Sequence, residues 1–299
     1  MKSNWLKAFK DGFVVCATAI LALNICFFVY KKLFQTTVKP TNNQEYASTS
    51  VMITRYDGRT GGTGVIISSK RNQSQVLTNA HVCSLLKNGG IIRSDSNKGV
   101  VKSYQVSQVH DLCLITTNTN FHINTVISDN QPEVYDDAIV SGHPHLLPNI
   151  VTHGHFSQKE IVNILTGFRR CRITDLFGDN AEYCQHLGVI PIIKSLEAQI
   201  VSATIMPGSS GSAVFNAKGE LSGLVFAGSG AFGYGMIVPQ EYLVSFFETE
   251  LPMLEPIYPS NSNSKPKNEV NWKSACSKPA TRKIQKACEL VSRSLLLTK

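Results

Sequence analysis

The chain opens with an apolar block and then changes rhythm. From Phe13 to Tyr30 the sequence FVVCATAILALNICFFVY carries no charge, and Asn24 is its only strongly polar member. A bilayer core of ~30 Å is crossed by about 20 helical residues at 1.5 Å each. Lys7 and Lys10 precede the block, and Lys31 and Lys32 close it. A cleaved signal peptide has a shorter apolar region followed by small residues. Lys31-Lys32-Leu33-Phe34 supplies no such site, so the pattern predicts an uncleaved signal anchor over 13–30 behind a short tail, 1–12. Residues 31–48, polar and containing Pro40 and Asn42-Asn43, read as a tether.

Beyond residue 49 short β-branched runs recur between turn residues: VMITR, GVIIS, QVLT, VVKSYQVSQV, DLCLIT, DAIVSG, NIVTHGHF, AQIVSATI, SAVF, LSGLVFAG and GYGMIVP. Many short strands punctuated by Gly, Asn and Ser predict an all-β barrel or sandwich. Asn216-Ala217-Lys218-Gly219 reads as a tight turn, with Gly219 where a positive φ is needed. QEYLVSFFETE (240–250) reads as a short helix that ends a domain spanning 49–250. Prolines 252, 256 and 259 and SNSNSKPKN mark a linker over 251–272. The tail 273–299 is basic, and Ile284, Ala287, Cys288, Val291 and Leu295 share one face of a predicted helix.

The net charge of +8 suggests nucleic acid until it is divided along the chain. Residues 1–40 carry +5 and residues 265–299 carry +7, which leaves the middle mildly acidic at −4. A nucleic-acid module carries its basic patch on the folded domain, so no nucleic-acid partner is expected. Two of the eight cysteines, Cys16 and Cys26, lie in the apolar block. The other six suit an oxidising compartment. Their spacing favours Cys171/Cys184 and Cys276/Cys288 as bridges, with Cys83/Cys113 either bridged or two buried thiols; six reduced core residues are the alternative. With the short N-terminal tail inside, the large domain is exported.

Three segments carry chemistry: TNAHVC around His81, HDLCLI around Asp111, and PGSSGSAVF around Ser210. A serine hydroxyl needs an adjacent base to become a nucleophile. Histidine takes and returns a proton near neutral pH, and a buried carboxylate fixes its tautomer. The developing oxyanion needs preorganised N–H donors, which the backbone of Gly208 and Ser210 can supply.

These segments resemble the chymotrypsin-like (trypsin-fold) serine proteases, closest to the HtrA/DegP-type branch. GGTGVII (61–67), VSGHP (140–144), VTHGHFS (151–157), the stretch from Ala203 to Leu224, and GMIVP (235–239) extend the match over about residues 50–245. The resemblance implies two six-stranded β-barrels with a cleft between them. It implies His81 as general base, Asp111 as its orienter, Ser210 as nucleophile, and the N–H groups of Gly208 and Ser210 as oxyanion hole. It implies protein or peptide substrates and no cofactor, and it leaves homo-oligomers open.

The departures are informative. Ser209 precedes the nucleophile where trypsin-like zymogens carry an Asp, so activation by a newly cut N-terminus is not expected. Ser212 replaces the family's second Gly, and the fifty or so residues after 250 read as linker plus helix, so PDZ-mediated peptide sensing is not expected. Thr204 stands where trypsin has its pocket Asp, which disfavours cleavage after Arg or Lys. Phe226, Ala227, Gly228 and Met236 are the other expected pocket residues, for a small or medium apolar side chain. His143/His145 and His153/His155 look like metal pairs, but no ligand spacing around them matches a zinc pattern, and no metal is expected. RRCR (169–172) has no counterpart in the family and reads as a regulatory insertion or a solvated loop. Two other functions fit the same sequence: a catalytically silent binding or chaperone-like protein, and a protease that processes itself.

Overall fold

The computed structural model describes residues 37–172, 175, 179–187, 189–229 and 233–260. The expected anchor, the basic tail and Cys276/Cys288 lie outside them. No helix among the described residues is long and apolar enough to cross a membrane.

Two closed six-stranded barrels form the domain. In chain order the first holds β1 (Ser50–Thr54), β2 (Gly61–Lys70), β3 (Gln73–Thr78), β4 (Ile91–Arg93), β5 (Lys98–Val106) and β6 (Cys113–Thr117). They close in the order β1-β2-β3-β6-β5-β4. The second holds β7 (Asp137–Gly142), β8 (Ile150–Arg170), β9 (Val189–Val201), β10 (Ala213–Phe215), β11 (Leu221–Ser229) and β12 (Tyr234–Pro239). They close in the order β8-β9-β12-β11-β10-β7. Closure removes exposed edges, which explains why the strands can be short.

Strand periodicity divides the apolar residues among three cores. Successive side chains point to opposite faces. On β3, Val76 fills the first barrel while Leu77 faces the second. Cys113 and Ile115 likewise point inward, and Leu112 and Leu114 point across. Burial on both faces makes LCLI a continuous apolar run rather than an alternating one. Phe156, Val201, Val214, Val225 and Ile237 fill the second barrel. Tyr46, Leu77, Leu114, Phe215 and Leu224 belong to the core between the barrels, where the Tyr46 and Phe215 rings lie 5.1 Å apart.

Part of the segment read as a tether is ordered. Residues 43–49 form α1 (Asn43–Thr49). The Asn42 side chain accepts from the Glu45 N–H at 3.0 Å, and Glu45 accepts from the Thr41 N–H at 2.7 Å. These reciprocal caps satisfy N–H groups at the helix start, and the helix buries Tyr46. The expected turn is present, with Gly219 at φ +70° and Asn216 Oδ1 accepting from the N–H groups of Lys218 and Glu220.

The stretch around RRCR is a third feature, neither barrel strand nor loop. β8 pairs with β7 only as far as His155, and β9 pairs with β12 only from Gln199. Between these points β8 and β9 pair only with each other, out to Arg170 and Val189. The result is a two-stranded arm on which Ile161 is 73% exposed. Cys171–Cys184 closes it beside α2 (Ala181–Leu187). Arg169 grips Asp175 through two bonds of 2.6 and 2.8 Å and holds that carboxyl down at about 2.

Candidate active site

His81 sits on the short helical turn Ala80–Cys83 that follows β3, and Asp111 sits on the loop entering β6. β3 and β6 are neighbours, with Thr78 opposite Cys113. This pairing brings two residues that are 30 apart in sequence into contact. His81 Nδ1 lies 2.7 Å from Asp111 Oδ2, and the His81 backbone N–H donates to Asp111 Oδ1 at 3.0 Å. Asn79 Nδ2 holds the Asp111 carbonyl at 2.9 Å. The Cys83–Cys113 disulfide joins the same two pieces two residues beyond each partner, and both cysteines are fully buried.

Burial alone would push the His81 imidazole down. The Asp111 charge and its hydrogen bond outweigh burial and raise the imidazole above its ordinary 6.5. Burial pushes Asp111 up. The His81 charge, the imidazole bond and the N–H groups of His81 and Ala80 pull it below 3.8. The carboxylate side chain is 11% exposed and the imidazole 39%, so one is shielded while the other reaches the surface.

The loop that carries Asp111 is braced from the second half of the domain. Ser107 Oγ donates to Glu250 at 2.7 Å, and the Gln108 N–H donates to the same carboxylate. From the arm, Lys194 donates to the Val109 carbonyl. His110 stacks 4.0 Å from the Tyr242 ring, whose hydroxyl donates to Glu197 on the arm and is thereby pushed up to about 12.

Ser210 lies between β9 and β10 on a turn whose peptide planes are held one by one. The Ser209 N–H donates to Met206 O at 3.0 Å, closing a turn with Pro207 second and Gly208 third at φ +91°. That is a type II turn, which requires a positive φ at the third position. The N–H groups of Gly211 and Ser212 donate to Val225 O at 2.7 Å and Ser209 O at 2.8 Å. Among the described residues the N–H groups of Gly208 and Ser210 make no hydrogen bond. Two free donors on either side of Ser209 are what an oxyanion hole consists of. His145 and Leu146 lie beside the turn at φ +54° and +57°, a conformation that is costly outside glycine. The His145 N–H donates to Pro207 O at 2.6 Å.

A model of the trypsin-like peptidase domain matches residues 62–224, more than half of the chain. The chain belongs to the trypsin-like peptidase family. Membership makes this peptidase a serine endopeptidase. Among solved structures it is similar to the active form of the Rv3671c protease from M. tuberculosis, at 16% identity and a TM-score of 0.52, covering 73% of this chain and 85% of that one. The inactive form of that protein gives 18% identity and a TM-score of 0.50, covering 70% and 93%. The serine endoprotease from Yersinia pestis gives 22% identity and a TM-score of 0.48, covering 70% and 66%. At these identities the likeness to the two Rv3671c structures speaks for the fold alone. No curated protein sequence matches the peptidase significantly.

The expected pocket residues of the peptidase occupy different surroundings. Thr204 is exposed, while Phe226 and Ala227 are buried in the core between the barrels, with Met236 packed against it. Gly228 faces Gly235 across β11 and β12. A Cβ on Gly228 would lie 2.6 Å from Ile205 Cβ, and one on Gly235 would lie 2.5 Å from Ile205 Cγ1. Ile205 therefore fills the space that these two glycines leave. In the sequence nothing marks it, because an isoleucine in AQIVSATI looks like any other strand residue. Ser212 also finds its explanation: a Cβ on Gly142 would lie 1.8 Å from Ser212 Oγ, so the glycine on β7 makes room for the larger residue.

The histidines of the expected pairs take up partners other than a metal ion. His143 is buried, and its Nδ1 lies 3.0 Å from Leu147 O. His153 reaches Asn43 and His155 reaches Asp137. Among the described residues no group of three or more His, Cys, Asp or Glu is placed to hold a metal ion.

Proposed function

We propose that the chain is a membrane-tethered serine endopeptidase acting through His81, Asp111 and Ser210. Ser210 Oγ attacks the scissile carbonyl carbon while its proton passes to His81 Nε2. The carbonyl oxygen becomes an oxyanion between the N–H groups of Gly208 and Ser210. The C–N bond breaks as His81 returns the proton to the leaving amine, which leaves an acyl ester on Ser210. Water, deprotonated by His81, then hydrolyses the ester. Asp111 holds the imidazole tautomer and stabilises its cation.

The observation that carries this reading is the pair of unbonded N–H groups on a turn whose other amides are all held, in one domain with a bonded imidazole–carboxylate pair. Among the described residues Ser210 Oγ makes no hydrogen bond to His81. Such bonds commonly tighten only when substrate binds. Ile205 supports a shallow primary pocket suited to a small apolar side chain. The apolar run 13–30 supports a single-pass anchor with the peptidase domain outside the cytoplasm.

A fluorophosphonate probe tests the reading. The wild-type chain should be labelled and Ser210→Ala should not. A folded wild-type chain that resists the probe would refute the enzyme and favour a binding protein built on the same cleft.

A further inference from the structure

Thr63 is fully buried on β2, in the barrel opposite to the nucleophile turn. Sequence gives no reason to notice it, yet four of its hydrogen bonds converge on the site. Its N–H donates to Ser210 O at 2.7 Å. Its hydroxyl donates to Gly208 O at 3.0 Å and accepts from the His143 N–H at 2.9 Å. Its carbonyl accepts from Thr78 Oγ1 at 2.6 Å, on the strand that leads to His81. The direction of the hydroxyl bonds is unambiguous, because a backbone N–H can only donate and a carbonyl can only accept.

We infer that the Thr63 hydroxyl is a positioning residue for the oxyanion hole, resting on the triad reading above. A type II turn and a type I turn differ by a flip of their central peptide, here Pro207–Gly208. Glycine allows either sign of φ at little cost, so the backbone alone does not fix the direction of the Gly208 N–H. Two external bonds fix it. The His145 N–H holds Pro207 O on one side of the Gly208 Cα, and the Thr63 hydroxyl holds Gly208 O on the other. Thr63 joins the two restraints, because its oxygen also anchors His143, two residues before His145. Removing the hydroxyl frees one peptide plane directly and loosens the loop that holds the next. Ser210, the second donor, stays tied through the Thr63 backbone.

Thr63→Val keeps the shape and β-branching and deletes only the hydroxyl. Thr63→Ser restores it. The test compares wild type, both variants and Thr63→Ala by the rate of fluorophosphonate labelling, by kcat and KM on a peptide substrate, and by the inhibition constant of a peptide boronate. Losing one oxyanion donor outright costs about 10²–10³ in kcat. Loosening one should cost roughly tenfold to a hundredfold, with KM within about threefold and boronate inhibition weakened in parallel. Thr63→Ser should return to within about threefold of wild type. A labelling rate is read on folded molecules only, so partial misfolding lowers the labelled fraction and leaves the rate interpretable. Wild-type-like kcat and labelling in Thr63→Val and Thr63→Ala would overturn the inference while leaving the triad standing, as would failure of Thr63→Ser to rescue. An unlabelled wild type would overturn both.

Discussion

The Cys83–Cys113 bridge stands two residues from His81 and two from Asp111, which allows its effects on stability and on catalysis to be separated. The perturbation is Cys83→Ala with Cys113→Ala, which leaves no buried thiol or hydroxyl behind. The bridge spans 30 residues. Chain-entropy arithmetic for a loop of that length gives about 3.6 kcal/mol at 25 °C. For a domain of this size that is a fall of about 7–14 °C in Tm. The Cys171–Cys184 bridge is the control. It spans 13 residues, for which the same arithmetic gives about 2.9 kcal/mol. The two losses of stability should thus be similar, and the catalytic losses should not. Without Cys83–Cys113 the imidazole and carboxylate lose a covalent restraint, and a misplacement of about 1 Å costs on the order of 10²-fold. The expected fall in kcat is roughly tenfold to a hundredfold for that double variant and less than about twofold for Cys171→Ala with Cys184→Ala. Guanidinium unfolding and steady-state hydrolysis measure the two effects on the full chain. A stability loss under about 1 kcal/mol, or equal catalytic losses in the two variants, would refute the reasoning.

Other outcomes follow from the site. Asp111→Asn should lower kcat by about 10⁴-fold. Catalysis needs neutral His81, so wild-type kcat/KM should rise with pH through a half-point above 6.5, where Asp111 holds the imidazole, and the variant's half-point should move to lower pH. The same pair sets signs for stability. The His81 contribution is complete below about 6.5 and is lost as pH rises through its raised value. The Asp111 contribution is present above about 3.9 and is lost as pH falls through its lowered value. Ile205→Ala should empty the space between Gly228 and Gly235 and shift the preferred substrate side chain from Ala or Val towards Leu or Phe. A profile of kcat/KM across a peptide series measures this, and an unchanged order of preference would count against Ile205 as the pocket floor.

The site and the fold were legible in the sequence to different degrees. The strand runs give nearly every barrel strand, because closed barrels leave short apolar segments between turns. Ile91–Arg93 escapes the pattern, since three residues carry too little of it. His81, Asp111 and Ser210 stand in short motifs whose residue types are tied to their chemistry. The arm was illegible because its residues 159–170 and 189–198 pair only with each other, so apolar and charged residues mingle as they do in loops. Thr63 and Ile205 act through neighbours that folding alone supplies. The hydroxyl of Thr63 meets a carbonyl 145 residues further on, and no local spacing announces such a partner. Of the cysteines, Cys171/Cys184 follows from short separation, whereas pairing Cys83 with Cys113 depends on β3 lying beside β6.

The brace on the Asp111 loop has a consequence for how the molecule comes of age. Glu250, in the helical segment that follows β12, reaches back to Ser107 and Gln108, and the chain then returns to pair Ile257 with Tyr104 on β5. One strap thus stitches the segment that follows the second barrel onto the first barrel. Until this stitch closes, the carboxylate partner of His81 stands on a loop still waiting for its support. The support of the Asp111 loop is therefore complete only once a carboxylate 143 positions beyond Ser107 has docked against it.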